Sequence, residues 1–261
     1  MKAISRLVPA PRRVKGLGGM RGRRLLQARK LVAPLVPLPV TLTAADGLRL
    51  RITADPVDEQ IARHLTGARR SDYFPPWPTG AEPVRSILDI GAHHGLYAVA
   101  ALHEYRDAQI VCVEPSASAL SSLHANLALN GFTDRARVVH AGLAAERGSG
   151  LLRHTAEGSW GASLYEEATA ALATEAVALL PLAEILDGER PDVVKCNAEG
   201  AEYALIPQLR ALDVRPRLMV VMVHPEFGDL NALLAAAADA GYESTSIGVN
   251  PQRPAFHFWR T

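Results

Sequence analysis

The chain has 261 residues, 48% of them hydrophobic, which is enough for one large α/β domain with an extension. A net charge of +1 argues against a polyanionic partner for the chain as a whole, so a nucleic-acid partner is not favoured. Its two cysteines, Cys112 and Cys196, exclude a disulfide framework and a cysteine zinc set; both fall in apolar runs, and the chain reads as cytoplasmic.

The charge is unevenly spread. Ten of the 28 basic residues lie within residues 1–30, no acidic residue precedes Asp46, and the remainder carries 18 basic against 27 acidic residues, a net of −9. Such a head fits a solvated arm or cap helix, a contact with a membrane surface or nucleic acid, or a transit peptide. Pro34, Pro37 and Pro39 break the apolar run that follows, so no transmembrane segment is expected.

Residues 21–33 predict a basic helix that ends before Pro34. Pro39 to Thr43 and Leu48 to Thr53 alternate apolar and polar residues around Asp46-Gly47, a hairpin signal. Asp58 to Leu65 predicts a short helix. Arg69 to Pro83 is polar and proline-rich, with Tyr73, Phe74 and Trp77, and reads as a lid over a cofactor or as a linker. Residues 1–83 are therefore taken as an extension and 84–261 as the main domain.

From Val84 strands and helices alternate, which predicts a doubly wound, Rossmann-like α/β fold. Strands are expected near 86–91, 109–114, 136–141, 192–196 and 218–223. Gly142 to Ala162 is glycine-rich and suggests an added hairpin. Pro181 to Leu186 predicts a helical turn, Glu199 opens a helix to Leu212, and Leu230 to Ala240 predicts a helix ended by Gly241. Glu243 to Gly248 and Ala255 to Trp259 then pair antiparallel, completing a mostly parallel seven-stranded sheet with an antiparallel last strand.

The richest stretch is Ser-Ile-Leu-Asp-Ile-Gly-Ala-His-His-Gly, residues 86–95. A buried strand, a glycine turn and a helix start make a nucleotide cradle. The turn reads Gly-x-x-x-Gly and so lacks the dinucleotide fingerprint. Asp89, at the strand end, suits a cationic ligand better than a phosphate. S-adenosylmethionine (SAM) carries that charge. Glu114 ends the next apolar run, at the spacing where a carboxylate accepts ribose hydroxyls in a βαβ unit.

These residues, with Val-Glu-Pro at 113–115, Leu123-x-x-Asn126-x-x-x-Asn130 and Lys195-Cys-Asn-Ala-Glu-Gly-Ala-Glu202, resemble the FkbM-type SAM-dependent methyltransferases over roughly Val84 to Tyr242. The resemblance implies SAM as cofactor, contacted by Asp89, Gly91, Ala92, His93, Gly95, Glu114, Pro115, Ser116 and Asn197. It also implies O-methylation of a hydroxyl on a small or medium metabolite, a sugar or natural product. The family usually has aspartate where this chain has Asn197, which puts metal-assisted deprotonation in doubt, since an amide is neither a base nor a good ligand for a divalent cation.

Candidate catalytic residues are Asn197, Glu199, His224 and Glu226, which lie beyond the strand ends. His224 is expected as general base or acceptor-orienting group, with Glu226 behind it. Glu199 is expected in the first turn of its helix. Glu202 is expected to pair with Lys195 or Arg210. His93 reads as a cofactor contact and His94 as packing. Adjacent histidines rarely face one ion, so no metal site is expected. Two rival readings stay open: an N-methyltransferase acting on an amine or peptide amide, suggested by Asn197, and a non-catalytic SAM-binding scaffold. A homodimer also stays open.

Overall fold

A computed structural model of the chain describes residues 21–22, 25, 39–155, 158–163, 173–248 and 253–260. The expected basic helix at 21–33 lies almost wholly outside them; Arg21 pairs as an antiparallel bridge with Thr43.

The described chain opens with the hairpin β1 (Val40–Thr43) and β2 (Arg49–Ile52). Helix α1 (Pro56–Thr66) follows; the Asp55 side chain caps it by accepting from the Val57 N–H at 2.9 Å, and proline occupies its first turn. A single turn, α2 (Arg70–Tyr73), leads into the main sheet. Its first half is β3 (Ser86–Ile90), α3 (Leu96–Glu104), β4 (Gln109–Val113), α4 (Ala117–Asn130) and β5 (Ala136–Val139). Then come β6 (Gly142–Leu143), β7 (Gly148–Thr155), β8 (Gly158–Ser163) and β9 (Ala173–Leu180). The second half is α5 (Leu182–Leu186), β10 (Val193–Cys196), α6 (Glu202–Ala211), β11 (Leu218–Met222), α7 (Leu230–Asp239), β12 (Tyr242–Ile247) and β13 (Ala255–Arg260).

The seven-stranded sheet has the order β12-β13-β11-β10-β3-β4-β5. β10, β11, β3, β4 and β5 pair parallel, while β13 pairs antiparallel with both β11 and β12. This is the expected doubly wound α/β architecture. Strand order reverses between β3 and β10, and such a reversal opens a crevice beyond the carboxyl ends of those strands. The apolar runs are buried because helices cover both faces: Ile87 belongs to one core cluster, Leu88 and Ile90 to the other, and all three are essentially inaccessible.

Residues 40–74 pack into the same core cluster as β3 and α3. Asn126 and Asn130 hold the hairpin there. Asn126 Oδ1 accepts from the Arg51 N–H at 2.8 Å and its Nδ2 donates to Arg51 O at 3.0 Å. Asn130 repeats the pattern on Arg49, at 3.0 and 2.7 Å. The spacing follows from geometry: four residues of helix rise about 6 Å and two residues of strand about 6.6 Å. The two amides thus act as a substitute neighbouring strand for the edge of β2.

Two segments differ from expectation, and the aromatic one left open as lid or linker can now be described. After β5, strands β6 to β9 form a four-stranded sheet of order β6-β9-β7-β8 instead of a lone hairpin. The segment with Tyr73, Phe74 and Trp77 is fastened: Phe74 stacks on Tyr97 at 5.5 Å, and Trp77 packs on Trp259 at 5.7 Å and beneath the Arg217 guanidinium. Helix α6 begins at Glu202, because Glu199 has φ +44° and Gly200 φ +109°, which a right-handed helix cannot accommodate.

Candidate active site

A cavity of about 980 Å³, counting its open mouth, occupies the crevice beyond β3, β4 and β10. Gly91, Ala92, His93, Glu114, Pro115, Asn197 and Glu199 line it, all sequence candidates. A smaller cavity of about 400 Å³ lies alongside, walled by Val220, Met222, Ile247 and Ala255 and edged by Arg69 and Asp72. Tyr73, Lys195 and Asn197 border both.

Gly91 sets the floor. Its φ is +74°, and a Cβ there would sit 1.9 Å from the carbonyl oxygen of Asn197, so only glycine lets β3 and β10 approach this closely. Gly95, φ +75°, starts α3 against Leu123 and does not line the cavity. Glu114 is buried, and its carboxylate accepts from the His93 N–H at 2.7 Å and the Ser116 N–H at 2.8 Å. Burial pushes its pKa up, against the pull of those two donors. Ser116 is therefore a support for Glu114, buried and outside the cavity wall.

Asp89 does not face the crevice as expected. It is fully buried, and its register partner on β10, Lys195, places Nζ 2.9 Å from Oδ1. The pair lacks hydrogen-bond alignment, because Lys195 aims at the Gly91 carbonyl at 2.7 Å. Burial raises the Asp89 pKa, with Lys195 opposing. Lys195 is the functional candidate that sequence reasoning passed over. Its signal was in the pattern, a cation inside an apolar strand, which needs a carboxylate on the adjoining strand.

The expected base, His224, is also seated differently. It is 1% exposed and lines neither cavity. Nδ1 bonds Glu202 Oε1 at 2.9 Å, and Nε2 stands 3.1 Å from Glu199 Oε1, close for an ion pair but off-line for a hydrogen bond. Burial alone would lower its pKa, but Glu199 and Glu202 outweigh burial and raise it to about 9. That shift favours the imidazolium form, and the ring, held between two carboxylates and away from both cavities, is placed to position Glu199 rather than to meet a substrate. Glu226 is not behind His224; that carboxylate is 3.3 Å from Arg253 Nη2.

Glu202, fully buried, pairs with neither Lys195 nor Arg210. It accepts from the Gly200 N–H at 2.9 Å and the His224 N–H at 2.7 Å as well as from the ring, tying β11 to the turn after β10. Glu199 Oε2 accepts from Arg253 Nη1 at 2.8 Å. Its burial is outweighed by His224 and Arg253, which hold its pKa below the usual range, so a carboxylate stays ionised on the crevice wall.

Across the glycine turn, His94 Nδ1 bonds Asp58 Oδ1 at 2.8 Å, and the two imidazoles lie 3.7 Å apart, tilted 30°. Burial, reinforced by His94, pushes the His93 pKa down to about 3.

Two buried polar atoms bordering the crevice find no hydrogen-bond partner: the Tyr97 hydroxyl and Asn197 Oδ1. Buried polar groups are paired in the great majority of cases, so both point to a polar ligand. Together with a floor that excludes a Cβ at Gly91 and a carboxylate on the tip of β4, they fit an adenosyl ligand.

The fold and crevice are those of a methyltransferase of the Rossmann-like class. The model of the methyltransferase FkbM domain matches residues 89–244. The chain belongs to that family, and is a SAM-dependent methyltransferase. No curated protein matches it. Similar solved structures include the human methyltransferase 10 domain containing protein (13% identity, 73% of this chain and 77% of that one, TM-score 0.42). They also include an O-methyltransferase family protein from Burkholderia thailandensis (11%, 80% and 61%, TM-score 0.42). A third is M. capricolum TrmK in complex with S-adenosyl-homocysteine (10%, 67% and 62%, TM-score 0.41). Among the described residues no helix is long and apolar enough to cross a membrane.

Proposed function

We propose that the chain transfers a methyl group from SAM to a hydroxyl of a small or medium-sized metabolite, at the junction of the two cavities. The observation that carries this reading is that Lys195 and Asn197 border both spaces, so a donor in one and an acceptor in the other meet at these two side chains. SAM supplies a methyl group activated by its sulfonium. The protein's task is mainly alignment.

Glu114 keeps lone pairs for a ribose diol after accepting two backbone N–H groups. The backbone at Gly91, Ala92 and His93 receives the amino-acid end, and Pro115 and Leu143 give an apolar wall for the base. Glu199, kept ionised by His224 and Arg253, accepts a hydrogen bond from the acceptor hydroxyl. With a methyl donor bound, Glu199 would take the proton that the acceptor hydroxyl releases as the methyl group is transferred. The Lys195 ammonium, at the same junction, can donate a hydrogen bond that orients the acceptor oxygen.

A second reading, N-methylation of an amine or peptide amide, is favoured by Asn197 Oδ1, a buried acceptor suited to an acceptor N–H. Methyl-labelled SAM with a panel of hydroxylated and amino small molecules tests both. Glu199→Gln is expected to lower transfer about a hundredfold while leaving S-adenosylhomocysteine affinity unchanged. Wild-type turnover in that variant would remove Glu199 from the mechanism. Stability of the labelled product to ether or ester cleavage separates oxygen from nitrogen.

A further inference from the structure

We propose that Asp58, His93 and His94 form a site for one transition-metal ion of the zinc type, on the wall of the crevice between α1 and the glycine turn. One donor atom from each lies within 4.8 Å of the others, and Asp58 and His94 are buried. The sequence argues against it, since neighbouring histidines seldom face one ion. Backbone geometry reverses that expectation. His93 has φ +49°, a left-handed conformation that lays its ring against that of His94. Both Nδ1 atoms then approach the same oxygen, Asp58 Oδ1: His94 at 2.8 Å and His93 at 4.0 Å.

A buried Asp–His hydrogen bond accounts for the first distance. It does not account for the second, which is too long for a hydrogen bond but is one that an ion about 2 Å from each donor spans with a small side-chain shift. The outer contacts suit the same purpose. Asp58 Oδ2 is fixed by the Thr53 N–H at 2.6 Å, and Asp55 Oδ2 faces the far nitrogen of His93 at 3.9 Å. A carboxylate behind a ligating imidazole is the usual support of such a ligand. Two imidazoles and one carboxylate select zinc, cobalt or nickel over magnesium or calcium, which need mainly oxygen donors. His93 also lines the crevice, which gives the ion a path in and a fourth position for water. The ion would clamp α1, and with it the hairpin, to the cofactor turn.

The test uses the full chain without an affinity tag, stripped with chelator and dialysed. Zinc is titrated by calorimetry, and cobalt by visible absorption. One ion per chain is expected, with cobalt bands typical of nitrogen ligands. His93→Asn, which tolerates the left-handed backbone, is expected to weaken zinc at least about tenfold while far-ultraviolet circular dichroism stays unchanged. Asp58→Asn should do the same if it folds. Absence of saturable zinc binding overturns the proposal, as does binding that His93→Asn leaves intact. Neither result bears on SAM binding, which is measured separately.

Discussion

His224 is predicted to contribute stability that falls away as pH rises from about 6.5 to 9. Its pKa rises from 6.5 to about 9 on folding, because Glu199 and Glu202 overcome the cost of burying the charged ring. A group whose folded pKa is raised contributes fully below its unfolded pKa, and the contribution is lost as pH climbs through the folded value. At about 1.4 kcal/mol per pH unit, the His224 contribution should drop by up to about 3 kcal/mol between pH 6.5 and 9. The buried thiols of Cys112 and Cys196 act with the same sign, but only near and above their ordinary pKa of 9.0. Burial pushes down the pKa values of His64, His93 and His257, which act with the opposite sign just above pH 6.5, so the share of His224 is read as the difference between the wild type and a His224 variant. Urea unfolding at stepped pH measures it. His224→Gln is the reference: it should be less stable by about 3 kcal/mol or more at neutral pH, since it leaves Glu202 buried without its cation, and its profile should flatten across the window. A wild-type profile that does not fall relative to that of His224→Gln across the window would refute the imidazolium clamp.

Other consequences are direct. Gly91→Ala adds a Cβ 1.9 Å from a backbone oxygen at φ +74°, so thermal unfolding should show a loss of more than about 2 kcal/mol or no folded protein. Asn126→Ala removes the bonds to Arg51 and one to the His94 carbonyl at 2.9 Å, and urea melts should register about 2–3 kcal/mol. Asn130→Ala, at the more exposed end of the same zipper, should cost less, about 1 kcal/mol. An equal or reversed ranking of the two asparagines would contradict the docking described for the hairpin.

The main sheet was legible because its strands are short apolar runs ended by Gly91, Glu114 and Asn197, and burial on both faces leaves few other conformations for such runs. The antiparallel ending was legible from the short, proline-containing link between β12 and β13. Strand β9 was not: Ala-Thr-Glu-Ala-Val-Ala-Leu-Leu has weak β propensity, and its pairing with β7 on one side and β6 on the other makes it a strand. At the site, types of residue were readable but pairings were not. Asp89 was taken as ligand-facing because a strand end is usually open, and the register that buries it against Lys195 is a tertiary fact. The same holds for His224, whose two carboxylate neighbours come from a turn and a helix start more than twenty residues earlier in the chain. Proton-transfer roles follow from such neighbours, and no local pattern around His224 names them.

Calorimetric titration of S-adenosylhomocysteine into the wild-type chain and Glu114→Ala goes furthest toward deciding whether the crevice holds a methyl donor. Saturable binding to the wild type, weakened at least about tenfold in the variant, is predicted from the loss of the carboxylate assigned to the ribose. No saturable heat with the wild type, or equal affinity in both proteins, would contradict that assignment.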